Sequence, residues 1–315
     1  NTTGSDNTAI GDNALGANTT ASNNTAVGSG SLVLNTTGAN NTAMGESSLG
    51  ANTTGSQNLA LGRVALSANT TADDNIAIGY NTMAVNTTGA SNVAVGNYAL
   101  DANTTASNNT AVGYNSLTAN TTGHSNTAVG KDALLANTEG FHNIAIGLSA
   151  MDAMTVGDYN TALGGGALGS DTTGAGSTAI GYAALTAQNS TSSADMFNTA
   201  VGRAAGVALT TAVHTTLVGK GAGAAITTGD RNTFVGYLSG DATTTAADNV
   251  AVGTSALGAN TTGASNVAVG TNALDANTTA NSGTAIGHNA LSANTTGAEN
   301  VAVGESALEL NTTGA

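Results

Sequence analysis

A glycine returns every seventeen residues along this chain. Asn7-Thr8-Ala9-Ile10-Gly11 reappears as Asn24-Thr25-Ala26-Val27-Gly28 and as Asn41-Thr42-Ala43-Met44-Gly45, and the series runs through eighteen copies to Gly304. Only the step from Gly181 to Gly202 differs, being four residues longer. Seventeen residues are too few for two helices and a turn, and the spacing is not a coiled-coil heptad, so short strands remain. With the glycine as column zero, the unit reads G-x-x-A-L-x-A-N-T-T-G/A-x-N-N-T-A-V. Its Thr and Val favour strand, and Asn-Thr-Thr-Gly is turn chemistry. The chain has no proline, as a stacked parallel ladder requires, since proline removes a backbone donor. The expected fold is all-β: a parallel β-solenoid, or β-roll, of about eighteen 17-residue coils. It is expected to form one continuous array over 1–315, with divergent coils at 147–249.

The columns assign roles. The residue before each glycine is apolar in all eighteen copies, from Ile10 to Val303, and the one before that is Ala except at Leu217 and Phe234. Adjacent strand residues face opposite ways, so this strand is expected to be buried on both sides, once by its own coil and once by a partner chain. Column four is Leu or Met, a second interior row, except at Gly206, Gly223 and Gly240. Charged residues such as Asp12, Arg63, Lys131, Asp101 and Asp275 avoid the apolar columns, which supports the register. Column seven holds Asn18, Asn35, Asn52, Asn69, Asn86, Asn103, Asn120, Asn137, Asn260, Asn277, Asn294 and Asn311. Stacked at strand spacing, their amides are expected to form a structural hydrogen-bonded ladder, rather than to serve as N-glycosylation acceptors.

A net charge of −14 with five basic residues excludes binding to nucleic acid or to an anionic membrane surface. There is no cysteine. No signal peptide, transmembrane run or anchor is recognisable, and the chain starts and stops inside a repeat, so it is expected to be a segment of a longer protein.

A search for chemistry finds little. His124, His142, His214 and His288 fall in variable columns and read as solvated turn residues separated by many coils, so no catalytic residue, metal site or cofactor is expected. The Gly-Gly-x-Gly-x-Asp unit of calcium-binding rolls is missing. Gly219-Lys220-Gly221-Ala222-Gly223 lacks the ending of a phosphate loop. Tyr80, Tyr114, Tyr182 and Tyr237 share column one but lie two or more coils apart, and read as isolated surface residues. The main irregularity is regional: between Gly147 and Asn249, column seven carries Met154, Asp171, Gln188, Leu209, Ile226 and Thr243, and the insertion lies near 188–197. Insertions in repeat proteins map to surface loops. Gln188, Asn189, Ser190, Asp195 and Phe197 are therefore the candidate surface contact.

The units Asn109-Thr110-Ala111-Val112-Gly113-Tyr114-Asn115-Ser116-Leu117 and Asn126-Thr127-Ala128-Val129-Gly130-Lys131-Asp132-Ala133-Leu134 resemble the shorter head repeats of trimeric autotransporter adhesins. The longer unit with Asn-Thr-Thr-Gly resembles repeat regions of phage tail-fibre-like proteins that carry a C-terminal endosialidase-type chaperone. The resemblance implies a parallel homotrimer of left-handed rolls, extracellular on a virion or a bacterial surface, that contacts a host-cell glycan or protein receptor and has no catalytic residues. Two other functions compete. An ice-binding solenoid would use the recurrent threonines, although neighbours such as Thr19-Thr20 point to opposite faces. A polysaccharide-cleaving solenoid would need clustered carboxylates, and Asp230, Asp241 and Asp248 lie in different columns.

Overall fold

The computed structural model describes residues 1–190 and 195–314. The chain forms two compact units, Asn1–Gly157 and Asp158–Ala315. Each is a parallel β-solenoid, with no helix among the described residues. The first unit carries nine three-residue strands, from Thr8–Ile10 to Ile144–Ile146. The second carries nine more, from Thr161–Leu163 to Val301–Val303. Within each unit, successive strands pair in parallel with like columns aligned, as in Thr25↔Thr42, Ala26↔Ala43 and Val27↔Met44. The alignment survives the longer step, where Thr178 pairs with Thr199. The inserted residues 191–194 lie outside the described residues.

Strand alternation assigns the two apolar columns to different places. The central Ala points into the coil and is fully buried at Ala26, Ala60, Ala111 and Ala268. The apolar residue before the glycine points outward and stays half-buried or exposed, 45 % at Met44 and 43 % at Leu163. Opposite the Ala row stands the column-four row, with Leu32, Leu66, Leu117 and Leu274 fully buried. Small Ala is what a narrow coil can hold against Leu. The Leu residues are themselves left-handed, with φ of 50° at Leu32 and 55° at Leu117, a conformation that costs about 1–2 kcal/mol per residue. That strain is offset by burial of the side chain and by inter-coil bonds such as Leu117 N to Ala133 O at 2.9 Å.

The column-zero glycines close the turn that follows each strand. Gly113 has φ +140°, and a Cβ on it would stand 2.4 Å from the Gly130 carbonyl oxygen. A side chain fits neither the backbone angle nor the approach of the next coil.

The far side of the coil is polar inside, except where Met154, Leu209 and Ile226 stand in column seven. Asn52 donates from Nδ2 to Asn35 Oδ1 at 2.8 Å, Asn69 to Asn52 at 2.9 Å, and Asn103 to Asn86 at 2.8 Å. Each such Nδ2 also reaches a carbonyl of its own turn, as Asn52 does to Gly55 O at 2.8 Å. A second amide row stands one column before the strand. The backbone N–H of Asn92 donates to Asn75 Oδ1 at 3.0 Å, and Asn92 Nδ2 donates to Ala106 O at 2.9 Å. These asparagines are fully buried, and such groups persist in a core only when bonded. Where the first ladder meets Met154, whose side chain has no N–H and whose backbone N–H is held by Met151 O at 3.2 Å, Asn137 Oδ1 is left without a partner.

In the second unit, three coils redistribute the core. Gly206, Gly223 and Gly240 remove the column-four side chain, while Leu217 and Phe234 replace the strand Ala, and Leu209 and Ile226 replace the ladder Asn; all four large residues are fully buried. A Cβ on Gly240 would lie 2.4 Å from the Phe234 ring, and one on Gly223 would lie 2.7 Å from both Ile226 and Leu217. The anomalies in three columns are one packing exchange.

Candidate functional site

The outward strand face carries an aligned apolar row in each unit. In the first unit it presents Val27, Met44, Leu61, Ile78, Val95, Val112 and Val129, with Thr25, Thr42, Leu59, Ile76, Val93, Thr110 and Thr127 beside them. In the second unit, five successive coils present Thr161, Thr178, Thr199, Thr216 and Thr233 next to Leu163, Ile180, Val201, Val218 and Val235. Met44 and Leu163 are exposed and the other residues named are half-buried, and contiguous apolar surface that reaches solvent marks interaction sites.

The five insertion residues divide. Gln188 and Ser190 lie in the interior, whereas Asn189, Asp195 and Phe197 are exposed. Burial removes Gln188 and Ser190 from any surface contact and gives them a structural task. The buried Asp171 carboxylate accepts from Gln188 Nε2 at 2.6 Å and from the backbone N–H groups of Gly174 and Ser190 at 3.0 and 3.2 Å. Gln188 Oε1 in turn accepts from Asn198 Nδ2 at 3.0 Å. The insertion thus departs from the core on a satisfied polar network. It rejoins at Asp195, which pairs with Ala175, and Met196 is buried. Phe197 lies over Gly176, where a Cβ would meet its ring at 2.7 Å. Its ring centroid is 5.9 Å from that of His214.

The histidines are less scattered than their numbers imply. Positions seventeen apart are neighbours, and His124 and His142 sit in adjacent coils with ring centroids 5.5 Å apart, Phe141 stacking on His124 at 5.1 Å. His288 Nδ1 stands 3.8 Å from Glu305 Oε1, with both side chains exposed. Among the described residues no three His, Cys, Asp or Glu side chains group as a metal site, and no cavity is present.

Tyrosine columns also change meaning. Tyr98, in column two, fills the coil between Tyr80 and Tyr114, its ring centroid 5.5 Å from the first and 6.0 Å from the second, both edge-on. Three successive coils therefore carry a contiguous tyrosine strip.

The buried column-seven amides cannot act as glycosylation acceptors while the coil is folded. Column five carries the acidic row. Burial pushes the carboxyls of Asp101, Asp152, Asp241 and Asp275 above the ordinary 3.8, and the neighbouring Asp275 adds to the rise at Asp241. A raised folded value means that the folded chain binds more protons than the unfolded one between 3.8 and that value. Stability contributed by these groups is therefore fully present below 3.8 and falls as pH rises through the folded values. The exposed Arg231–Asp248 pair, bonded at 2.7 Å, lowers the Asp248 carboxyl and works oppositely, but only below 3.8. The expected result is a melting temperature that rises as pH is lowered from 7 toward the carboxylate range, with Asp→Asn changes at these four positions flattening the rise; circular dichroism melts check it.

No family model matches the chain, and no curated protein matches it.

Proposed function

We propose that this chain is a structural segment of an extracellular adhesive fibre, a parallel homotrimer of left-handed rolls whose outward strand faces pack against each other. The observation that carries the reading is the strand face itself: apolar before every glycine, yet outward in the single chain. A partner copy is the natural occupant, because identical coils stacked at one pitch present the same apolar column at the same spacing. The acidic, lysine-poor remainder of the surface keeps such a fibre soluble and discourages nucleic acid and anionic membranes. The resemblance of the repeats to autotransporter heads and tail-fibre regions supports the same reading, and joining three copies multiplies weak receptor contacts through effective concentration. No catalysis and no cofactor belong to it.

Replacing Val112 and Val129 together by glutamate tests the face. The double variant is expected to keep the far-UV spectrum of the parent but to sediment as single chains at micromolar concentration. An unchanged sedimentation coefficient speaks against strand-face assembly.

One observation favours a second reading, an ice-binding solenoid. From Thr161 to Val235 the outward face alternates Thr and an aliphatic residue on five aligned strands, which places threonines on one face as the Thr-Thr pairs do not. In those pairs the first hydroxyl is engaged by the next coil, as Thr53 Oγ1 is with Thr70 O at 3.0 Å. The fibre reading predicts no thermal hysteresis; measurable hysteresis lost on changing Thr199 and Thr216 to Leu would reverse the preference.

A further inference from the structure

We infer that Tyr80, Tyr98 and Tyr114 form a binding strip for a neutral glycan chain. The chain has only six tyrosines and no tryptophan in 315 residues, and half of them stand on three consecutive coils of the first unit. Tyr80 and Tyr114 are exposed and Tyr98 is half-buried between them. Asn97, which shares their column, turns its Oδ1 onto the Tyr80 backbone N–H at 2.9 Å. That leaves the space in its coil to the Tyr98 ring. Tyr98 sits at φ +61°, in a column that elsewhere is mostly Asn, Ser, Gly, Asp or Ala, so a bulky ring is placed where small residues are the easier choice.

The chemistry points to sugar. Aromatic faces pack on the C–H surfaces of pyranoses while tyrosine hydroxyls and flanking amides bond their hydroxyls, and Asn97 and Asn115 supply such amides along the strip. Tyr80 and Tyr114 stand two coils apart, roughly 9.6 Å at the usual strand spacing, with Tyr98 edge-on to both at 90° and 87°. A linear chain of repeating units fits that arrangement.

Charge decides between neutral and acidic glycans. The cation at one end, Arg63, is bonded to Glu46 at 3.1 Å and leans over Tyr80 with 5.7 Å from guanidinium carbon to ring centroid. At the other end Lys131 is paired with Asp132. Both positive charges are already neutralised on a protein of net charge −14, so sulfated or sialylated chains meet no free cation and a repulsive field.

The inference deepens the adhesive reading by naming its ligand class, and its test separates the two. Cellohexaose, maltohexaose and chitohexaose, with a heparin hexasaccharide as the acidic control, are titrated into the whole chain by calorimetry and by tyrosine fluorescence, which no tryptophan masks. At least one neutral hexasaccharide is expected to bind and the heparin fragment not. Tyr80→Ala with Tyr114→Ala is expected to weaken binding at least about tenfold, the Phe pair to retain most of it, and Tyr182→Ala with Tyr237→Ala to leave it unchanged. Failure of all three neutral sugars, preference for heparin, or equal loss in the Tyr182/Tyr237 control overturns the assignment. The molar mass of the same samples is read independently: a trimer that binds no sugar sinks the strip alone, and a monomer that binds sinks the fibre alone.

Discussion

Gly113→Ala is expected to destabilise the first unit by about 3–5 kcal/mol, the sum of a strained backbone and a forced contact. At φ +140° an alanine is in a region L-residues avoid, and its Cβ would be 2.4 Å from the Gly130 carbonyl oxygen and 2.6 Å from its carbon. The obstacle is backbone, so no side chain can rotate away. Relief requires neighbouring coils to part, which strains bonds such as Gly113 N to Val95 O at 2.8 Å. Gly30 is the matched control. It also has positive φ, +68°, but its nearest neighbour to an added Cβ is Ser47 Oγ at 3.7 Å, and its column accepts Asn13 and Ser47 at φ of 54° and 57°. Gly30→Ala is expected to cost about 1–2 kcal/mol. Urea denaturation followed by circular dichroism compares them, and equal, mild losses would remove the steric account of the repeat.

The second large effect lies in the exchanged core. Phe234→Ala is expected to cost about 3–5 kcal/mol, because a fully buried ring leaves a void that Gly240 cannot fill. Gly240→Leu is also destabilising alone, since its Cβ meets the ring at 2.4–2.6 Å. Together the two changes recreate the Ala and Leu found at Ala111 and Leu117, fully buried in the first unit. The double variant is therefore expected to recover much of the loss, a coupling of about 2–3 kcal/mol, at the upper end for residues in contact. Strict additivity in the denaturation midpoints would show that the two positions do not share one space.

These two cases mark what a sequence of this kind reveals. Period seventeen, the apolar strand columns and the Leu row are periodic signals that map directly onto parallel pairing. Which of Ala and Val faced inward was not decided by periodicity, because both are apolar; the narrow coil opposite Leu decides it by volume. The second amide row was visible as Asn75, Asn92 and Asn109, yet Asn beside a strand reads as turn chemistry. Only the depth of the coil shows that these side chains point in. The changes at Gly240 and Phe234 fall in separate columns, and only the position of the ring over the glycine makes them one event. Tyr98 and the pair His124 and His142 follow the same rule: side chains in adjacent columns of adjacent coils touch, which the periodicity of a single column does not show.

The central claim is that the outward strand face is covered by copies of the same chain. Light scattering coupled to size-exclusion chromatography on the purified chain tests it most directly: the account predicts a single species of three times the 30.1 kDa chain mass, and a stable species of one chain mass at micromolar concentration would contradict it.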